Sequence, residues 1–208
     1  MFGGSRQSVT EPAQDPRVPD RHRPTRRAVL RLALGMGLVL PFVKAGAAAE
    51  ADPRGARPRE GDRFVFATGA RQGHVVAPSD LLIGGPPVIV YPADAETGVV
   101  KGGSRLNEVL LIRLESDALA PETRPYAPEG IVAYSAICTH EGCEVSAWRA
   151  EAKILECPCH ASLFDPRDSA RVVSGPARKR LSRLPLKIVD GALVAGGGFS
   201  GRVGFQPG

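Results

Sequence analysis

The chain has 208 residues, with 27 Lys plus Arg against 22 Asp plus Glu. Its 24 Gly and 19 Pro make up about a fifth of it, which disfavours a helical bundle and favours short strands joined by turns. The formal charge of +5 sits in the first 49 residues, where 8 basic side chains face 3 acidic ones, while residues 50–208 hold 19 of each; a neutral body excludes a charge-driven nucleic-acid binder.

Residues 1–27 are polar, basic and Pro-rich, with nothing to build a core. Thr25-Arg26-Arg27-Ala28-Val29-Leu30 then places two adjacent arginines before an apolar stretch, Leu32 to Val43, of 12 residues. A membrane-spanning helix needs about 20 apolar residues, so this length suits the apolar region of a signal peptide. Ala45-Gly46-Ala47-Ala48-Ala49 supplies small residues for a peptidase. The whole of residues 1–49 resembles a twin-arginine export signal. A retained signal acting as an N-terminal anchor, with Lys44 reaching toward the interface, is a second reading, and a disordered tail followed by a chance apolar helix a third. The signal and the anchor each imply a periplasmic location or the outer face of the cytoplasmic membrane.

Residues 50–62 read as a linker, and the domain proper as 63–208. Phe64-Val65-Phe66-Ala67, Val88-Ile89-Val90-Tyr91, Val109 to Leu114 and Ile131 to Ser135 have the look of strands. Pro78-Ser79-Asp80-Leu81-Leu82 suggests one helical turn, and Ala93 to Arg105 a loop. The clearest hairpin is Leu186–Val189, Asp190-Gly191, Ala192–Val194, because an Asp-Gly pair between apolar runs suits a two-residue turn with positive φ. Gly196-Gly197-Gly198 is read as a loop and not as a phosphate cradle, since no strand precedes a helix there. The expected class is all-β, in one domain.

The strongest signal is the clustering of all four cysteines between Cys138 and Cys159, with two of the four histidines beside them. The first group is Cys138-Thr139-His140-Glu141-Gly142-Cys143 and the second Cys157-Pro158-Cys159-His160-Ala161-Ser162. Each offers a thiolate and an imidazole in a loop, and 16 residues between His140 and Cys157 leave room for a strand pair. Three chemistries compete. Two structural disulfides would suit an exported chain but leave the matched histidines without a role. A Cys2His2 zinc site would leave two cysteines over, and Cys-x-His is an unusual spacing for it. A [2Fe–2S] centre with two thiolates on one iron and two imidazoles on the other uses the whole set. His74, in Gly73-His74-Val75-Val76, reads as a structural or surface histidine.

The two motifs resemble the signature of disulfide-containing Rieske proteins, closely over residues 131–176. The resemblance implies a Rieske fold of three stacked antiparallel sheets, with a small cluster-binding subdomain at about 133–177. It assigns Cys138, His140, Cys157 and His160 as ligands of a Rieske-type 2Fe-2S cluster, and Cys143 with Cys159 as a disulfide tying the two loops. It also implies that Ser162 donates a hydrogen bond to a cluster sulfur, and that Ser174-Gly175-Pro176-Ala177 is a covering loop, with Gly175 and Pro176 beside the cluster. Phe164 stands where quinol–cytochrome c reductase members usually carry Tyr; it has no hydroxyl to donate, so a lower potential is expected. Replacing two thiolates by neutral imidazoles removes negative charge and raises the potential above that of four-cysteine ferredoxins.

Such a chain is an electron carrier, with no substrate chemistry of its own. A Rieske oxygenase needs a further iron held by two His and a carboxylate, and only His74 remains in the body. The features most resemble the Rieske subunit of arsenite oxidase, whose partner is a molybdenum-containing large subunit. The alternatives are a membrane-anchored Rieske subunit of a quinol–cytochrome c reductase, with a cytochrome as partner, and a free-standing periplasmic Rieske ferredoxin. Glu141, an exposed carboxylate where relatives commonly have Leu or Met, disfavours an apolar quinone pocket. Arg178, Lys179, Arg180 and Arg183 read either as a solvated face or as a docking patch for an acidic partner.

Overall fold

The computed structural model describes residues 52–206. The export signal or anchor expected over residues 1–49 lies outside them. Among the described residues, no helix is long and apolar enough to cross a membrane, and the regular structure consists of ten strands and short 3-10 turns.

Strands β1 (Arg63–Phe66), β2 (Val88–Ala93), β3 (Val109–Arg113), β4 (Ile131–Ser135), β9 (Leu186–Val189) and β10 (Ala192–Ala195) form one antiparallel sheet in the order β4-β3-β2-β1-β10-β9. Strands β5 (Ala147–Arg149), β6 (Ile154–Cys157), β7 (Ser162–Asp165) and β8 (Arg171–Ser174) form a second, in sequential order. The turn between β9 and β10 has Asp190 at φ 50° and Gly191 at φ 75°, the left-handed pair that such a turn requires. The helical turn expected near residue 78 is a 3-10 turn, Pro78–Asp80.

The three sheets implied by the resemblance are two among the described residues, because the larger one curls almost closed. The free edge of β4 is met by the segment before β9: Ser135 N–H donates to Ser182 O, and Leu184 N–H to Ala133 O. Pro185, which has no N–H, separates that segment from β9 and interrupts the ladder. Right-handed twist summed over six strands brings the two edges toward each other.

Curling leaves β3 and β4 covered on both faces. Side chains alternate across a strand. Val109, Leu111, Ile131 and Ala133 accordingly enter the core inside the curled sheet, with Phe64, Val90, Leu184 and Leu193. Leu110, Ile112, Val132 and Tyr134 face the other way, into a core shared with Leu155 and Phe164 of the smaller sheet and with Leu181. Burial on both sides is why these two segments read as unbroken apolar runs.

The linker expected over residues 50–62 is strapped down where it is described. Arg57 donates to Leu106 O at 2.9 Å, and Asn107 Nδ2 donates to Ala56 O at 2.8 Å. Asp62 is buried, 1% exposed, against the ammonium of Lys101, itself 3% exposed, at 2.5 Å. A charge taken out of water needs a partner, and Lys101 on the β2–β3 loop supplies it.

Candidate metal centre

Two loops build the centre. The first follows β4 after Ala136 and Ile137 and closes on itself: Cys138 N–H donates to Cys143 O at 2.7 Å, and Gly142 N–H to Cys138 O at 3.0 Å. Gly142 takes φ 74° to make the turn. The second joins β6 to β7, with Cys157 and Ser162 paired across the ladder, so residues 158–161 form a four-residue loop. Ala161 in that loop holds φ 52°, a left-handed conformation that a non-glycine residue adopts only where its surroundings fix it.

A disulfide joins Cys143 to Cys159, one from each loop, with Cα atoms 6.6 Å apart. The other two cysteines, Cys138 and Cys157, are free and each 1% exposed. The rings of His140 and His160 lie 4.7 Å apart between centroids, at 89° to each other. The loops therefore present a sulfur pair on the inside and an imidazole pair at the edge, where the side chain of His160 is 46% exposed. The Cys157 sulfur also lies within 4.8 Å of the two disulfide sulfurs.

The polar accounting of this pocket calls for a metal. Burial pushes the Cys138 thiol up; the amide of His140 opposes that, and the neighbouring Cys157 adds to it. The Cys138 sulfur therefore resists becoming a thiolate unless a cation sits with it. His140 Nδ1 is buried with no hydrogen-bond partner, and an orphaned buried polar atom in a folded protein calls for an explanation such as an ion. His160 turns its Nε2 outward, 3.7 Å from a Glu141 carboxylate oxygen. Two thiols and two imidazoles in separate pairs fit a [2Fe–2S] unit carrying unlike ligands on its two irons.

Neighbouring residues hold the loops. The Ser162 hydroxyl draws the Cys138 thiol pKa down, and its oxygen accepts the N–H of Ala177 at 3.2 Å. Phe164 is fully buried in the core that also contains Cys138 and Cys157. Gly175 sits at φ 91°, and a Cβ there would come within 2.5 Å of Ser162 Cα and 2.7 Å of Ala161 O. Only glycine allows the 174–177 loop to lie this close to the second cysteine loop. A register shift between Leu163 and Phe164 leaves Val173 as the extra residue of a β-bulge on β8, which redirects the chain toward Gly175. Pro176 is exposed on that loop.

Some of this was not legible in the sequence. Thr139, between a candidate thiol and a candidate imidazole, donates through Oγ1 to Lys179 O at 2.6 Å and accepts Gln206 N–H at 3.1 Å. Those partners are 40 and 67 residues away, and no local pattern announces them. The Glu141–His160 pair crosses between the two loops in the same way. Arg183 leaves the expected basic patch: it stacks over the Tyr126 ring, 3.7 Å from its centroid. His74 is exposed, in a turn before Val75.

Residues 86–185 match the family model described as the Rieske [2Fe-2S] domain. The chain carries a Rieske domain. It is 44% identical over 98 residues to the cytochrome bc1 complex Rieske iron-sulfur subunit of Streptomyces lividans, covering 46% of this chain and 58% of that one. It is 39% identical over 122 residues to a protein of Haloferax mediterranei named as a candidate Rieske subunit of a respiratory nitrate reductase, covering 58% of this chain and 52% of that one. The chain thus spans little more than half the length of these relatives. Among solved structures, the soluble domain of Rieske protein II from Sulfolobus acidocaldarius aligns at 23% identity with a TM-score of 0.36, over 46% of this chain and 66% of that one. The Rieske domain is an electron-transfer domain, and its cofactor is a Rieske-type [2Fe–2S] cluster.

Proposed function

We propose that this Rieske protein is the one-electron subunit of an exported respiratory oxidoreductase, with Cys138 and Cys157 holding one iron and His140 and His160 the other. The observation that carries this is the sorting of the six residues: a disulfide, a buried free sulfur pair, and an imidazole pair with one unpartnered buried Nδ1. When bound, the cluster takes up and returns one electron. The residues around it fix its properties. Burial of the two thiols keeps water away from the sulfurs, and the Ser162 hydroxyl stabilises negative charge on Cys138. Glu141 places a negative charge beside the exposed His160 ring. The test is His160→Ala, followed by iron and sulfide analysis and the EPR spectrum of the reduced protein. The variant should lose or change the wild-type signal; an unchanged spectrum refutes the ligand set.

For the assembly, the favoured reading is the small subunit of a molybdenum-containing oxidase of the arsenite-oxidase kind. Glu141 at the imidazole edge and Phe164 in place of Tyr support it, because a carboxylate 3.7 Å from His160 Nε2 disfavours an apolar quinone pocket there. The second reading, a quinol–cytochrome c reductase subunit, is favoured by the names of several relatives. Purification of the native complex separates them: a molybdenum-containing large subunit supports the first, b-type haem the second. The twin-arginine motif at Arg26-Arg27 supports export to the periplasm. Sequencing the mature N-terminus tests that step, and a start just after the alanine run at residues 47–49 would rule out a retained anchor.

A further inference from the structure

Charge on the body of this protein is balanced overall but not evenly spread. Arg171, Arg178, Lys179, Arg180, Arg202 and Gln206 line a cavity of about 400 Å³, and no carboxylate lines it. Among the described residues Arg171 is paired with Asp168, whereas Arg178, Lys179, Arg180 and Arg202 have no ion pair. A protein with 19 acidic and 19 basic side chains over residues 50–208 has thus gathered four unpaired cations in one groove. Chain folding holds them there. Ser182 Oγ and Gln206 Nε2 both donate to Arg202 O, which ties the tail to Ser182.

The groove borders the metal centre through two attachments. Lys179 O and Gln206 N–H both hold Thr139, the residue between Cys138 and His140. Arg178 directly follows Ala177, whose N–H holds Ser162. The cationic side chains themselves are exposed, so the groove is no desolvated pocket for a small anion. Its concave shape does not suit a flat lipid surface. Val173 and Phe205, 47% and 52% exposed, are next in sequence to the groove residues Val172 and Gln206. Apolar spots within a charged rim are the anatomy of a protein interface.

We propose that this groove is the docking face for an acidic one-electron redox protein, seated so that its redox group lies beside the exposed imidazole edge. The inference rests on the Rieske reading above: one electron passes between the cluster and the partner, and no atoms are transferred. Docking of this kind is steered by charge and weakens as salt screens it.

The test uses the full chain with its cluster and cytochrome b5, a haem protein with an acidic face, as probe; basic cytochrome c is the control. Binding is titrated, and electron transfer is followed by stopped flow, between about 20 and 200 mM salt, where the Debye length shortens from about 20 to 7 Å. Wild type should bind cytochrome b5 and lose about tenfold in association rate across that range. The triple variant Arg178→Glu, Lys179→Glu, Arg202→Glu should lose about tenfold at low salt, with its salt dependence flattened. The single variant Arg202→Ala should fall between them, and an unchanged visible spectrum shows that fold and cluster survive. Wild-type binding by the triple variant, salt-independent association, or binding only to vesicles of anionic phospholipid would overturn the proposal. Failure of the Rieske reading looks different: the protein lacks iron while charge-dependent binding persists.

Discussion

At the scale of single residues, the centre is tuned by what stands next to its ligands. The Glu141 carboxylate, 3.7 Å from His160 Nε2, opposes the arrival of an electron by Coulomb repulsion. Glu141→Gln should therefore raise the midpoint potential at neutral pH by tens of millivolts, on the order expected for one charge at a partly solvated site; redox titration beside wild type checks it. Phe164 acts by omission, since it is fully buried in the same core as Cys138 and Cys157 and donates nothing. Phe164→Tyr should also raise the midpoint, because a hydroxyl that hydrogen-bonds a sulfur favours the electron-rich state. A midpoint that stays put would mean that the new hydroxyl finds no sulfur. The residue types of both positions could be read from the sequence. What could not be read is that Glu141 reaches the opposite loop's histidine, because that pairing exists only after both hairpins are in register.

At the scale of elements, local patterns and long-range attachments divide sharply. Strands β1 to β4 and the Asp190-Gly191 hairpin were visible because apolar runs and turn residues act through near neighbours. The strap over residues 52–62 was not: Pro, Arg and Gly there look like a linker until Asp62 meets Lys101, 39 residues away. That ion pair makes a sharp prediction. Lys101→Met fills similar space but leaves the buried Asp62 charge with only Arg59, through its N–H at 2.8 Å and its guanidinium at 4.0 Å, which should cost about 3 kcal/mol, read as a lowered denaturation midpoint. A loss below about 1 kcal/mol would show that water reaches Asp62 once the ammonium is gone. The six-stranded sheet teaches a related point. Strand positions were legible, but whether they made one sheet or two depended on Pro185 and on contacts between residues 133–135 and 182–184.

At the scale of the whole molecule, stability against alkali is set by two tyrosines of the six-stranded sheet. Burial, with a hydrogen bond to Glu108 and the charge of that carboxylate, pushes Tyr91 up to about 12. Burial pushes Tyr134 up as well; its hydroxyl donates to Pro166 O at 2.8 Å across the two strand groups. An unfolded tyrosine gives up its proton near pH 10, while the folded one keeps it. Above pH 10 the unfolded state therefore binds fewer protons, and stability falls as pH rises. Thermal unfolding should hold level up to about pH 10 and decline steeply between about pH 10 and 12, and Tyr91→Phe should soften the decline. One further consequence comes from β4, which leads out of the doubly covered interior and reaches Cys138 only three residues past Ser135. Peeling that strand from β3 would drag the first thiol with it. The reddish colour of an iron–sulfur chromophore should accordingly bleach in step with the loss of β-sheet circular dichroism, as one melting event and not two.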